Sequence, residues 1–244
     1  MLIIPAVDIK QGRCVRLLQG RMDVETCFSN EPWQMALKWE NHGAELIHLV
    51  DLDGAVGKKV KNFDSIKKII KEVNVPVQVG GGIRSAETVK MYLDLGVSRV
   101  IIGSEALYNP DFVKDMCRLF PGRIVVGIDA RDGLVAVEGW TKISETSAID
   151  LAKKFEQSGV AAINFTDIHR DGMQTGPNIE ETEKLAEAVD IPVVASGGVS
   201  SIKDIRNLLP LETKGVTGVI TGRALYEGSF NLKEAIKIGK AHYR

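Results

Sequence analysis

One pattern in this chain occurs twice, about half a chain apart, and that repetition narrows the folds open to it. Gly80-Gly81-Gly82-Ile83-Arg84, followed by Val100-Ile101-Ile102-Gly103-Ser104, is echoed by Ser196-Gly197-Gly198-Val199, followed by Val219-Ile220-Thr221-Gly222-Arg223. Gly82 and Gly198 stand 116 residues apart, and Gly103 and Gly222 stand 119 apart. Two aspartates that close apolar runs, Asp8 in LIIPAVD and Asp129 in IVVGID, are 121 apart. Each interval is close to half of the 244 residues. Two like halves, each with a glycine pair able to cradle an anion and a strand-end carboxylate, predict a substrate with an anionic group at both ends.

Between these landmarks, short β-branched runs alternate with amphipathic segments. The runs at 2–7, 46–50, 76–79, 99–102, 124–128, 161–166, 192–195 and 217–221 are almost continuously apolar. That is the signature of parallel strands covered on both faces. Helices are expected at 33–42, 63–73, 86–95, 111–119, 147–158, 179–189, 202–209 and 232–241. Asn109-Pro110, Asn178 with Glu181, and Ser201 with Asp204 have the form of helix starts, and Gly43, Gly96 and Gly159 fall where helices stop. Eight β-α units in order predict a (β/α)8 TIM barrel, which typically needs ~250 residues. An open doubly wound sheet would require a reversal of strand order and would leave the duplication unexplained. We therefore expect one domain over 1–244, built of half-barrels at about 1–120 and 121–244. The stretches 12–30 and 53–62 are long for βα connections and read as candidate lids.

The bulk properties exclude several classes. A formal net charge of −1 offers no basic surplus for nucleic acid or an anionic membrane. No apolar run approaches the roughly 20 residues of a membrane span, and no basic segment precedes the first apolar stretch as in a signal peptide. Cys14, Cys27 and Cys117 are odd in number and lack a CxxC spacing, which fits a reducing cytoplasm. His48 and His169 have no HxH or HExxH partner, and His42 and His242 fall on expected helices, so no metal site is predicted. No GxGxxG opens the first βα turn, so a dinucleotide site is not expected either.

In a TIM barrel the carboxyl ends of the strands converge on the active-site face. Gly81, Gly82, Gly103 and Ser104 fall at the ends of strands 3 and 4, and Gly197, Gly198, Gly222 and Arg223 at the ends of strands 7 and 8. The two cradles thus oppose each other across the mouth, and a lone glycine pair there would equally serve an ordinary turn. Asp8 and Asp129 close strands 1 and 5 and point at the centre, the arrangement expected of an acid and a base. Capping of the following turn is the competing reading for each alone, and more so for Asp51 and Asp53. At the end of strand 6, Thr166 is placed to hydrogen-bond substrate and Asp171 to serve as a second acid, unless the segment is only an ordered turn. Cys14 reads as a bystander, and Trp140 as either a stacking platform or loop packing.

Ile4-Pro5-Ala6-Val7-Asp8 with Gly12-Arg13 and Val15-Arg16-Leu17, Val50-Asp51-Leu52-Asp53-Gly54-Ala55, the GGGIRS run, Gly127-Ile128-Asp129, Thr166-Asp167-Ile168 with Arg170-Asp171-Gly172, and Ser196-Gly197-Gly198-Val199 together carry a resemblance. Over its whole length the chain resembles the phosphoribosylformimino-aminoimidazole carboxamide ribotide isomerases of histidine biosynthesis. The resemblance implies an Amadori rearrangement of an aminoaldose into an aminoketose, on a ribotide phosphorylated at both ends, with neither metal nor organic cofactor. It implies Asp8 as base and Asp129 as acid, with Asp171 placed to share the acid's role and Thr166 beside them. Arg16, Arg84, Trp140, Gly172 and Gly176 join the glycines and Ser104 as substrate-binding residues, on a protein expected to act as a monomer. Two neighbouring readings are the cyclase subunit of imidazole glycerol phosphate synthase, which would carry a lysine where this chain has Arg16, and a dual-substrate isomerase that also accepts phosphoribosyl anthranilate.

Overall fold

A computed structural model describes residues 1–241, which leaves His242 outside the described residues. Among residues 1–241, eight parallel strands close a ring: β1 Leu2–Lys10, β2 Ile47–Asp51, β3 Val77–Gly80, β4 Arg99–Ile102, β5 Ile124–Arg131, β6 Ala162–Asp167, β7 Val193–Ser196 and β8 Val216–Thr221. The major helices between them are α1 Pro32–Asn41, α2 Phe63–Glu72, α3 Ala86–Leu95, α4 Pro110–Leu119, α5 Ala148–Lys153, α6 Ile179–Ala188, α7 Ile202–Leu208 and α8 Leu232–Ala241. This is the expected (β/α)8 TIM barrel.

Strand alternation sends one set of side chains inward and the other under the helices. Ile4, Ala6, Leu46, Ile101, Val125, Ala162, Val194 and Ile220 fill the lumen. Ile3, Val7, Ile47, Leu49, Val100 and Ile102 join the helices in the larger outer core. Both faces are buried, which is why these strands read as unbroken apolar runs. The expected helix starts are realised. Asn109 accepts from Phe112 N at 3.3 Å, Asn178 accepts from Glu181 N at 3.2 Å, and Ser201 with Asp204 forms a capping box.

Three local expectations are corrected. The stretch 12–30 is not an open loop: Arg13–Leu18 and Arg21–Ser29 form an antiparallel hairpin that continues β1 upward. A second hairpin, Leu134–Val137 with Lys142–Ser147, continues β5 in the same way. Asp8 and Asp129 therefore do not terminate their strands, because each stands where a barrel strand leaves the ring to pair with its own return, opposite Val15 and Ala136. Finally, α5 stops at Lys153 rather than near 158. Beyond it the backbone tightens to i→i−3 bonds at Phe155 and Glu156 and turns left-handed at Gln157 and Gly159.

Candidate active site

Each glycine cradle is built by a close approach that no side chain permits. Gly81 and Gly82 have φ of +105° and +75°, and Gly197 and Gly198 have +91° and +86°. A Cβ on Gly81 would lie 2.2 Å from Asp51 O, and one on Gly197 would lie 2.7 Å from Asp167 O. Glycine is therefore required on both counts. Behind each pair sits a carboxylate clamp. Asp51 is fully buried and accepts from Gly54 N, Lys61 N, Asn62 N and Asn62 Nδ2 at 2.6–2.9 Å. Asp167 accepts from His169 N, Arg170 N and Asn178 Nδ2 at 2.9, 3.2 and 2.6 Å. Asp167 and Asn178 stand 116 residues after Asp51 and Asn62, the same interval that separates the glycine pairs. Asp53 orders the same region by accepting from Gln11 N at 2.6 Å. Asp51 and Asp53 are thus turn-forming residues.

The second glycine of each half also repeats its backbone. Gly103 has φ −95° and ψ −103°, and Gly222 has φ −120° and ψ −101°. Around Gly103 a Cβ would meet nothing within 4 Å, so that cradle is open. Next to it, Ser104 Oγ accepts from Glu138 N at 3.0 Å, and Arg84 Nη1 lies 2.6 Å from Glu105 Oε1. Gly222 differs, because a Cβ there would fall within 3 Å of the Arg16 guanidinium.

A cavity of about 220 Å3 fills the mouth, lined by Gly82, Gly103 and Ser104 of one cradle and by Asp8, Asp129 and Asp171. A smaller recess of about 20 Å3 lies between Gly197, Gly198, Gly222, Arg223, Gly172 and Arg16. Gly176 stands behind this recess, donating its N–H to Gly198 O at 2.9 Å. The expected site residues are therefore brought together on one face, with Gly176 in support.

The three central carboxyls are all pushed above their ordinary values by burial. Asp8 is raised to about 6, opposed by the Arg16 guanidinium and reinforced by the charge of Asp171. Arg16, only 6% exposed, pairs with it through Nη1 and Oδ2 at 2.9 Å. Asp129 is also raised, against hydrogen bonds from Trp140 and Thr166. The Trp140 indole donates to its Oδ2 at 2.7 Å, and the ring rests on Gly20, where a Cβ would strike it. Asp171 is raised by burial against the charges of Arg16 and Arg223. Its loop is tied to the first hairpin by Gln19 N to Asp171 O at 3.2 Å and Gln19 Nε2 to His169 O at 2.9 Å. Cys14 is buried 3.3 Å from the Tyr226 hydroxyl, its thiol raised to about 11, which leaves it a poor nucleophile.

A family model described as "Histidine biosynthesis protein" matches residues 2–231. The chain belongs to the histidine biosynthesis protein family. Within it, the chain is 63% identical to a protein of Desulfatibacillum aliphaticivorans over 97% of this chain and 94% of that one. It is 63% identical to one of Desulfosudis oleivorans over 99% and 96%, and 59% identical to one of Trichlorobacter lovleyi over 98% of each. All three relatives are named 1-(5-phosphoribosyl)-5-((5-phosphoribosylamino)methylideneamino) imidazole-4-carboxamide isomerase.

Two parts of this family member's site escaped the sequence reading. The Asp–Asn clamps carry no periodic signature, although the shared interval of 116 residues would have exposed them. Glu138, which bonds Ser104 through its backbone and meets Lys58 and Tyr108 with its carboxylate at 3.0 Å each, had no signal at all.

Proposed function

We infer that this chain is a sugar isomerase of histidine biosynthesis, converting the aminoaldose ribotide named in its relatives into the corresponding aminoketose by an Amadori rearrangement. The observation that carries this reading is the mirrored pair of left-handed glycine cradles with ionisable carboxyls between them. Glycine backbone that approaches this closely can turn N–H groups toward phosphoryl oxygens, one cradle for each end of the substrate. The isomerase names of the relatives do not favour the cyclase alternative.

The reaction needs a proton given to the ribose ring oxygen, so that the ring opens to a Schiff base, and a proton taken from C2, so that an enolamine forms and tautomerises to the ketone. Asp8 is the base in this reading. A carboxyl poised at about 6 is ionised at neutral pH yet more basic than an exposed aspartate. For the acid, the geometry favours Asp171 over Asp129. Asp129 is held by Trp140 and Thr166, whereas Asp171, beside Arg16 and Arg223, lines both the central cavity and the β7/β8 recess. A phosphoryl group in the β7/β8 recess would screen those arginines and raise Asp171 further. Asp129, oriented by Trp140 and Thr166, then stabilises the cationic Schiff base.

Arg16, Arg84, Ser104 and Arg223 supply side-chain contacts around the two phosphates. A monomer is the working unit in this reading. Three free thiols support a reducing cytoplasm. Among the described residues, no helix is long and apolar enough to cross a membrane. The deciding experiment is turnover of the bisphosphorylated formimino ribotide by purified protein, with phosphoribosyl anthranilate and the ketose plus ammonia as parallel substrates. Turnover of the first establishes the isomerase, and its failure under saturating substrate overturns the reading. The second substrate decides whether specificity is dual.

A further inference from the structure

Directly beneath the carboxyls lies a layer of the lumen that the scheme above leaves unused. In register, Ala6 pairs with His48, and Gly127 pairs with Asn164, one inward step below Asp8 and Asp129. His48 on β2 and Asn164 on β6 face each other across the ring and are 116 residues apart, so they occupy repeat-related positions. Both line the central cavity, whose floor is otherwise apolar or small at Ala6, Ile101, Gly127 and Ile220.

Asn164 is only 4% exposed, and neither Oδ1 nor Nδ2 has a hydrogen-bond partner. A buried amide left bare on both atoms opposes folding, and such groups are retained where a ligand completes them. Across the ring, the only hydrogen bond of the His48 imidazole among the described residues comes from Gln78 Nε2, 3.0 Å from Nδ1. A Gln amide nitrogen donates, so Nδ1 accepts and the proton sits on Nε2. Burial and the charge of Arg16 lower the imidazole to about 3, which keeps it a neutral donor at any working pH.

We propose that Asn164 and His48 are substrate-binding residues that hold the hydroxyl groups of the sugar chain from below, Asn164 donating and accepting through its bare amide and His48 donating from Nε2. This rests on the isomerase reading, since a polyol strung between two phosphate cradles passes directly over this floor. The two residues fix the C2–H bond relative to Asp8, while the paired glycine and alanine at 127 and 6 leave room for the chain. Neutral donors suit this task because a charge at this depth would alter the ionisation of the three carboxyls above.

Asn164→Leu tests the idea, because it replaces an unsatisfied amide by an apolar group of similar shape. We expect an equal or higher melting temperature with kcat/KM for the formimino ribotide lowered about tenfold or more, the loss of two neutral hydrogen bonds. His48→Phe should lower kcat/KM similarly without moving the acid limb of the pH profile. Asn164→Ala, smaller than either, serves if leucine is not accommodated, and the same loss is expected. Native kcat/KM in the folded Asn164 variants overturns the proposal, and so does a lower melting temperature with unchanged kinetics, which would mean a purely structural amide. Absence of turnover in the unmutated protein would instead overturn the isomerase reading, so the two failures are distinguishable.

Discussion

The buried guanidinium of Arg16 lies 2.9 Å from the Asp8 carboxylate and packs against Gly222 so tightly that a methyl group there would strike it. One side chain therefore touches both the proposed base and the proposed phosphate cradle at the end of β8. Coupling of this kind makes occupancy of the cradle felt at the base, since a phosphoryl group entering beside Arg16 shares its charge.

Asp8 sets the first prediction. Its raised value of about 6 places the acid limb of kcat/KM near that pH, because below it the base is protonated. Asp8→Asn should reduce kcat by about 100- to 10,000-fold while KM changes little. The same shift affects stability. Between 3.8 and about 6 the folded chain holds a proton that the unfolded chain has lost. The stability this gives is complete below 3.8 and is lost as pH rises through about 6, roughly 3 kcal/mol in all. Thermal denaturation between pH 4 and 7 should show that component in the unmutated protein and not in Asp8→Asn. A variant with native turnover would remove Asp8 from the mechanism.

Arg16→Met removes the charge that opposes burial at Asp8. The acid limb of kcat/KM should move to higher pH, and kcat/KM at its optimum should fall roughly 10- to 100-fold, the range for losing a charged contact. An unmoved limb would show that Arg16 does not govern the ionisation of Asp8.

The acid is decided by comparing Asp171→Asn with Asp129→Asn. Asp171→Asn should abolish nearly all turnover and the alkaline limb of the kcat profile together. Asp129→Asn should lower kcat less and keep that limb, because it leaves the proton donor in place. The reverse ranking would return the acid role to Asp129. Trp140→Phe, which keeps the ring and loses the 2.7 Å indole bond, should reproduce part of the Asp129→Asn loss.

Much of this architecture is legible in the linear chain because barrel strands covered on both faces must be apolar throughout, and because duplicated glycines survive as a countable interval. The hairpins were not legible. Arg21–Ser29 is a polar strand with no buried residue, and its partner is its own predecessor, so no apolar period marks it. Arg16 read as a substrate-binding residue, and nothing in its neighbours announced that it would be buried against Asp8. Asn164 was invisible for the opposite reason: within an apolar run, a single amide reads as noise until its position opposite His48 is known.

The glycines supply a final prediction, since two of them separate space from shape. Gly81 has φ +105° and no room for a Cβ, which would sit 2.2 Å from Asp51 O. Gly81→Ala must therefore displace the clamp held by Asp51 and Asn62, at a cost of about 1–3 kcal/mol from backbone strain alone, and should lower both melting temperature and kcat/KM. Gly103 has a negative φ, and a Cβ there would meet nothing within 4 Å. Gly103→Ala should raise KM, because its methyl meets no protein atom within 4 Å and occupies the space proposed for phosphoryl oxygens. An unchanged KM in Gly103→Ala would mean that the open space beside Gly103 takes no phosphate, and the two-cradle account of the substrate would fail at that end.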